Sequence, residues 1–180
     1  SRVQPGDVVL TQGTGGVSLF AIQFAHAAGA RVISTSSSDD KLARLTELGA
    51  SDLINYKKQP KWADEAMRLT NGLGVDRVIE VGGAGTLPLS MKAVKRGGVV
   101  SLIGVLTGQG EFNPTSVLMK SVRLQGIFVG SKAMFETMNR AIAQHQLRPV
   151  VDRTFGFDEL QPALEYMQSG KHFGKICLKI

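Results

Sequence analysis

Residues 8–18 read VVLTQGTGGVS: Val8-Val9-Leu10 is apolar, Gly13, Gly15 and Gly16 crowd a loop, and Val17-Ser18 opens a helix-compatible run. Strand, glycine loop and helix in that order form the context in which Gly-x-Gly-x-x-Gly marks a dinucleotide site. One glycine permits the tight turn, and a second lets the backbone approach a diphosphate with no Cβ in the way. The helix then offers unpaired N–H groups and the positive end of its dipole to the phosphates. Ser18 replaces the third glycine of the pattern and is small enough for close helix–strand packing. Gly13, Thr14, Gly15, Gly16 and Val17 are therefore candidate cofactor-binding residues; the plain alternative is a glycine turn that merely joins two elements.

Working outward, Pro5-Gly6-Asp7 forms a turn before the strand, and the helix runs over Gly16–Ala28. Its stripe is Val17, Phe20, Ala21, Phe24 and Ala28, and Gly29 sits where a helix C-terminal glycine belongs. The pattern then repeats. Strands are expected at Arg31–Ser34, Leu53–Asn55, Val75–Val81, Val99–Ile103 and Arg123–Phe128. Helices are expected at Asp39–Leu48, Lys61–Thr70, Thr86–Val94, Thr115–Lys120 and Lys132–Gln144, with Gly97-Gly98 leading into the fifth strand. Trp62, Ala66 and Leu69 share one side of the third helix. Strands alternating with helices imply parallel β-α-β units, and nearly all-apolar strands imply a sheet covered on both faces. The expected fold is α/β, a doubly wound parallel six-stranded Rossmann sheet. After Pro149 the character changes. Val150–Phe155 reads as a strand and Gly174–Ile180 as another. Between them lies a helix capped by Asp158 with Gln161, bearing a Leu160, Leu164 and Met167 stripe and ended by Gly170. The expectation is a dinucleotide-binding domain over residues 1–149 and a small strand–helix–strand appendage over residues 150–180.

The end of the second strand bears on which cofactor is taken. An NAD site places an acidic residue about 20 residues past the glycines to accept from the ribose hydroxyl. Here Thr35-Ser36-Ser37-Ser38 occupies that place and holds no carboxylate. Small hydroxyls leave room for a 2′-phosphate and donate to it, and Lys41 in the next helical turn adds a charged contact. NADP(H) is favoured over NAD(H), with Asp39 leaving the NAD reading open if the loop bends. The plain roles are a solvated lysine for Lys41 and a helix cap for Ser38 or Asp39.

Composition narrows the remaining classes. The chain has 180 residues, 43% hydrophobic and 20% charged, which suits a folded core and not disorder. One cysteine, Cys177, builds neither an internal disulfide nor a thiolate cage, and a reducing, cytoplasmic setting is expected. Residues 1–10 contain no apolar signal segment, and no run is long enough to span a membrane. The +6 charge comes from 21 basic and 15 acidic residues that are scattered, with small groups at Lys57, Lys58 and Lys61 and at Lys92, Lys95 and Arg96. A nucleic-acid partner is not expected from that distribution, whereas an anionic small molecule suits it. His26, His145 and His172 lack metal-ligand spacing, so this chain is not expected to bind zinc. No catalytic acid–base pair emerges; Glu80, ending an apolar strand, is a candidate base, but a helix-facing or ribose-side polar role suits it better.

Several motifs in order resemble the medium-chain dehydrogenase/reductase superfamily. They are Val3-Gln4-Pro5-Gly6-Asp7-Val8-Val9, Gly13-Thr14-Gly15-Gly16-Val17, Ala28-Gly29-Ala30 and Leu48-Gly49-Ala50, followed by Ile54-Asn55-Tyr56 and Gly72-Leu73-Gly74-Val75-Asp76. The tail Gly170-Lys171-His172-Phe173-Gly174-Lys175-Ile176 resembles that superfamily's C-terminal end. The likeness is to the zinc-type alcohol dehydrogenase and NADPH:quinone oxidoreductase branch and covers essentially the whole chain. It implies that Lys41 and Tyr56 hold the adenosine 2′-phosphate and that Ser36 stands where NAD-dependent members have an aspartate. It implies that Val81, Gly82 and Gly83, with Ile103 and Gly104, face the cofactor, and that Phe128, Gly130 and Ser131 border the nicotinamide. It also implies hydride transfer, an N-terminal GroES-like catalytic domain preceding this segment, and homodimerisation through the last Rossmann strand. The substrate, and whether the parent enzyme uses zinc, are not implied. Two other readings stay open: a stand-alone NADPH-sensing module acting through partners, and a methyltransferase using S-adenosylmethionine, which wants an acid where Ser36 stands.

Overall fold

The computed structural model describes residues 2–180. Its strands are β1 (Val8–Gln12), β2 (Arg31–Ser36), β3 (Asp52–Asn55), β4 (Val75–Glu80), β5 (Val94–Leu102) and β6 (Arg123–Gly126). All six pair in parallel in the order β3-β2-β1-β4-β5-β6. Chain order reverses between β1 and β4, and in open α/β sheets that switch point opens a crevice beyond the strand ends. Helices α1 (Gly16–Ala27), α2 (Asp39–Thr46), α3 (Trp62–Leu69), α4 (Leu87–Ala93) and α5 (Thr115–Lys120) connect the strands, and α6 (Lys132–Gln144) follows them.

Alternation along each strand divides the core in two, because successive side chains point to opposite faces. Val9 and Val32 point to one face, where Leu19 and Ile22 of α1 and Leu42 and Leu45 of α2 cover them. Leu10 and Ile33 point to the other, under Trp62, Ala63 and Ala66 of α3 and Leu87 and Met91 of α4. Each fully buried aliphatic or aromatic side chain contributes about 1.5–3 kcal/mol relative to exposure. Lys120 adds an unusual cap: its ammonium donates to the carbonyls of Met91, Lys92 and Val94, where α4 ends.

The C-terminal segment forms β7 (Val151–Gly156), a 3₁₀ turn (Phe157–Glu159), α7 (Leu160–Gln168) and β8 (Lys175–Lys179), with β7 and β8 paired in parallel. It does not hang free. Phe173 is buried in the α1–α2 core, the Gly174 N–H donates to the Thr14 carbonyl (2.9 Å), and Gly15 bridges Gly174.

Three expectations are corrected. In α1 the buried residues are Ser18, Leu19, Ile22, Gln23 and Ala25, while Val17 is exposed and Phe20 and Phe24 stack only half-covered. This helix is apolar nearly all round, so two stripes fit helical spacing and periodicity does not choose between them. Gly97-Gly98 lies inside β5, which starts at Val94; the β4–β5 register jumps from Val75–Val94 to Arg77–Val99 to accommodate it. Asp158 does not cap α7. The chain tightens into the 3₁₀ turn first, and Glu159 accepts from the Gly156 N–H (2.7 Å). The Leu160, Leu164 and Met167 stripe of α7 is largely exposed.

Candidate cofactor site

The site begins where β1 runs out. Gly13 has φ +70°, a conformation that L side chains rarely adopt, and its N–H donates to the Thr35 carbonyl (2.8 Å). Gly15 is extended and caps α1 without a side chain, and the first turn of α1 holds no acidic residue. The amides of that turn are thus left to an outside anion. Ser18, in the place of the third glycine, does more than fit: its buried hydroxyl donates to the Gln12 carbonyl (2.6 Å) and ties helix to strand end. Above Gly16 lies the Lys175 side chain, so close that a Cβ at Gly16 would overlap it. An ammonium from β8 therefore sits beside the opening of α1.

A crevice of about 440 Å³ crosses the switch point. It gathers Gly13, Thr14, Gly15, Gly16 and Val17 with Ser36, Ser37, Lys41 and Tyr56 on one side and Val81, Ile103 and Gly104 on the other. It also takes in Gln12, Ser18, Leu106, Gly170, His172 and Lys175, which sequence reasoning did not assign. The last three come from the appendage, and the only trace of them in the sequence was the tail motif, read there for family likeness and not for its two cations. Gly82 and Gly83 lie behind the lining, their N–H groups turned to the Glu80 carboxylate. Phe128, Gly130 and Ser131 are not brought to the crevice. They follow the edge strand β6 into α6, where Phe128 is 97% exposed and the Ser131 hydroxyl caps α6 by accepting from the Met134 N–H. The chain leaves the sheet at that point, and α6 has no buried residue to hold it back.

The electrostatics are one-sided: among the described residues no Asp or Glu lines the crevice, while Lys41 and Lys175 do. Asp39 is turned aside, paired with Lys58 (2.5 Å) and accepting from Asn55 (2.6 Å), and the Lys58 bond above all holds its pKa low. Lys41 is not a solvated lysine. Its Nζ donates to the carbonyls of Gly170 (2.7 Å) and His172 (2.9 Å), leaving one of three ammonium donors, and burial lowers its pKa. His172 Nδ1 is buried with no hydrogen-bond partner in the same wall. An orphaned ring nitrogen, two cations and uncapped amides suit a multiply phosphorylated ligand. Among the described residues, no group of three or more His, Cys, Asp or Glu is placed to hold a metal. Nor is any described helix long and apolar enough to cross a membrane.

Residues 16–144 match the zinc-binding dehydrogenase family. The chain belongs to that family. Among proteins that resemble this family member, a zinc-type alcohol dehydrogenase-like protein of Schizosaccharomyces pombe is 50% identical, covering 99% of this chain and 53% of the relative. A solved NAD-dependent alcohol dehydrogenase is 34% identical with a TM-score of 0.92, covering 99% of this chain and 52% of its own. A crotonyl-CoA carboxylase/reductase, AntE, solved with NADP is 27% identical with a TM-score of 0.87, covering 98% of this chain and 50% of its own. This family member thus spans about half the length of the relatives it matches.

Proposed function

We propose that this chain is the NADP(H)-binding half of a medium-chain oxidoreductase that reduces a quinone, an enone or another carbonyl, or runs the reverse oxidation. The observation that supports it most is the carboxylate-free crevice over the β1–β4 switch, with uncapped amides at its centre and Lys41 and Lys175 in its wall. A nicotinamide dinucleotide bound there supplies or accepts the hydride. The chain's own residues bind and orient it. The α1 amides and Lys175 take the diphosphate, and Ser36, Ser37, Lys41 and Tyr56 take the adenosine end with its extra phosphate. Val81, Ile103 and Gly104 shape the apolar end where a ring would lie. A methyltransferase is disfavoured by the missing acid at Ser36.

The relatives carry as much chain again, and in this reading that portion, GroES-like, holds the substrate. Residues 150–180 are taken as the appendage that docks on it, and the open edge of β6 as the place where two copies join. A cytoplasmic setting rests on the unpaired Cys177. Titration of the chain with NADPH and NADH, followed by nucleotide fluorescence, tests the reading. Tight NADPH binding is expected, and Lys41→Ala weakens NADPH about tenfold more than NADH, any loss common to both reporting the tail carbonyls that Lys41 also holds. Equal losses for both cofactors would remove the 2′-phosphate assignment.

A further inference from the structure

Beneath the crevice lies a fully enclosed acidic side chain that no step above uses. Glu80 ends β4 at the switch point and is 0% exposed. Its Oε1 accepts from the N–H groups of Gly82 (2.8 Å) and Gly83 (3.0 Å) and from the Thr86 hydroxyl (2.5 Å). Its Oε2 accepts from Gln12 Nε2 (2.9 Å) and from the Ser90 hydroxyl. Gln12 turns its own Oε1 to the N–H groups of Val81 (3.2 Å) and Gly82 (3.4 Å). Glu80 is sealed from solvent and does not line the crevice. Two backbone N–H groups, one side-chain amide and two hydroxyls surround its oxygens, and a buried group with so many partners is costly to disturb.

We propose that Glu80 is a positioning residue that holds the Val81–Gly83 loop against the end of β1, so that both halves of a dinucleotide are gripped at once. This rests on the cofactor reading above. The asymmetry of the anchoring supports it. The glycine loop has its own ties: Gly13 N–H to the Thr35 carbonyl, the Ser18 hydroxyl to the Gln12 carbonyl, and Gly174 N–H to the Thr14 carbonyl. The described amides of the Val81–Gly83 loop end on Glu80 and on Gln12, which Glu80 orients, while the loop's carbonyls are held from the far side: Gly82 O by the Thr107 N–H (2.8 Å) and hydroxyl (2.9 Å), and Gly83 O by the N–H groups of Thr86 (3.0 Å) and Leu87 (2.9 Å). Loss of the carboxylate releases this loop's amides from the end of β1, leaving it tied to Thr86, Leu87 and Thr107, and does not touch the ties of the glycine loop. Binding of the adenosine half is then spared, and binding of the whole dinucleotide is not.

The test uses the full chain carrying Glu80→Gln, nearly the same shape but with one acceptor oxygen replaced by a donor. NADPH and adenosine 2′,5′-bisphosphate form one pair of probes, NADH and adenosine 5′-monophosphate a second. The dissociation constant of the whole dinucleotide is expected to rise about tenfold or more, and that of its adenosine half to change less than about twofold. Hydrogen exchange at the Gly82 and Gly83 amides accelerates, while Gly13 is unaltered. Equal losses for whole and half, or an undiminished dinucleotide affinity, overturn the proposal. Wild-type chain that binds none of the four probes overturns the cofactor reading instead, and the exchange rates alone then decide the role of Glu80. If Glu80→Gln does not fold, Thr86→Val removes one donor and keeps the carboxylate; the same selectivity at about threefold is expected, and its absence overturns the proposal.

Discussion

Ser36 shows how much one atom's placement decides. It closes β2, is buried, and lines the crevice, yet it carries no charge. A carboxylate there would accept from a ribose hydroxyl and repel a 2′-phosphate. Ser36→Asp is therefore expected to move the NADPH-to-NADH affinity ratio toward NADH by about tenfold or more, read from paired titrations. An unchanged ratio would count against this position. The hydroxyls at residues 36–38 and the lysine at 41 are visible in the bare sequence because their chain spacing from the glycines is fixed by one helix and one strand. Asp39 was ambiguous there, since only side-chain direction decides it, and its pairing with Lys58 and Asn55 turns it from the crevice.

At the scale of elements, the appendage is a wall of the site and not a decoration. Phe173 is 2% exposed between α1 and α2, and the Arg44 guanidinium lies 3.9 Å over its ring. Arg44 also pairs with Asp152 of β7 (3.7 Å), and Lys41 holds the carbonyls of Gly170 and His172. Both cations sit on α2, so the helix next to Ser36 also clasps the tail. Phe173→Ala is expected to cost about 3–5 kcal/mol in denaturant unfolding, through lost burial and the cavity left behind. It should also weaken NADPH, because Lys175 and His172 lose their support. A loss below about 1 kcal/mol would show that the tail seats itself without this plug. Element reading from sequence failed where local pattern was degenerate: α1 offered two apolar stripes, and α7 entered through a 3₁₀ turn that shifted its cap.

For the whole molecule, exposure points to what the chain does alone. α6 buries nothing and presents Met134, Phe135 and Met138 outward, and Phe157, Leu160, Leu164 and Met167 are exposed on the appendage. Exposed apolar surface on this scale is usual where another body packs. Because the proposed reading gives the substrate to the portion that the relatives carry beyond this span, the isolated chain is expected to bind NADPH but to show no quinone, enone or carbonyl reductase turnover above background in a spectrophotometric assay. Sustained turnover would refute the division of labour proposed here.

Spacing along the chain determined the alternation of strand and helix, the glycine loop at the end of β1 and the run of hydroxyls at the end of β2. These are short-range patterns, each enforced by backbone geometry within one β-α-β unit. Only the tertiary structure decided that Lys175 overlies Gly16, that Lys41 is shared with the tail, and that Glu80 is sealed under the crevice by Gln12 and Ser90. Those contacts join residues far apart in the chain, and no periodicity records them; they exist because the sheet reverses its order at β1 and β4 and the C-terminal strand returns to the first helix.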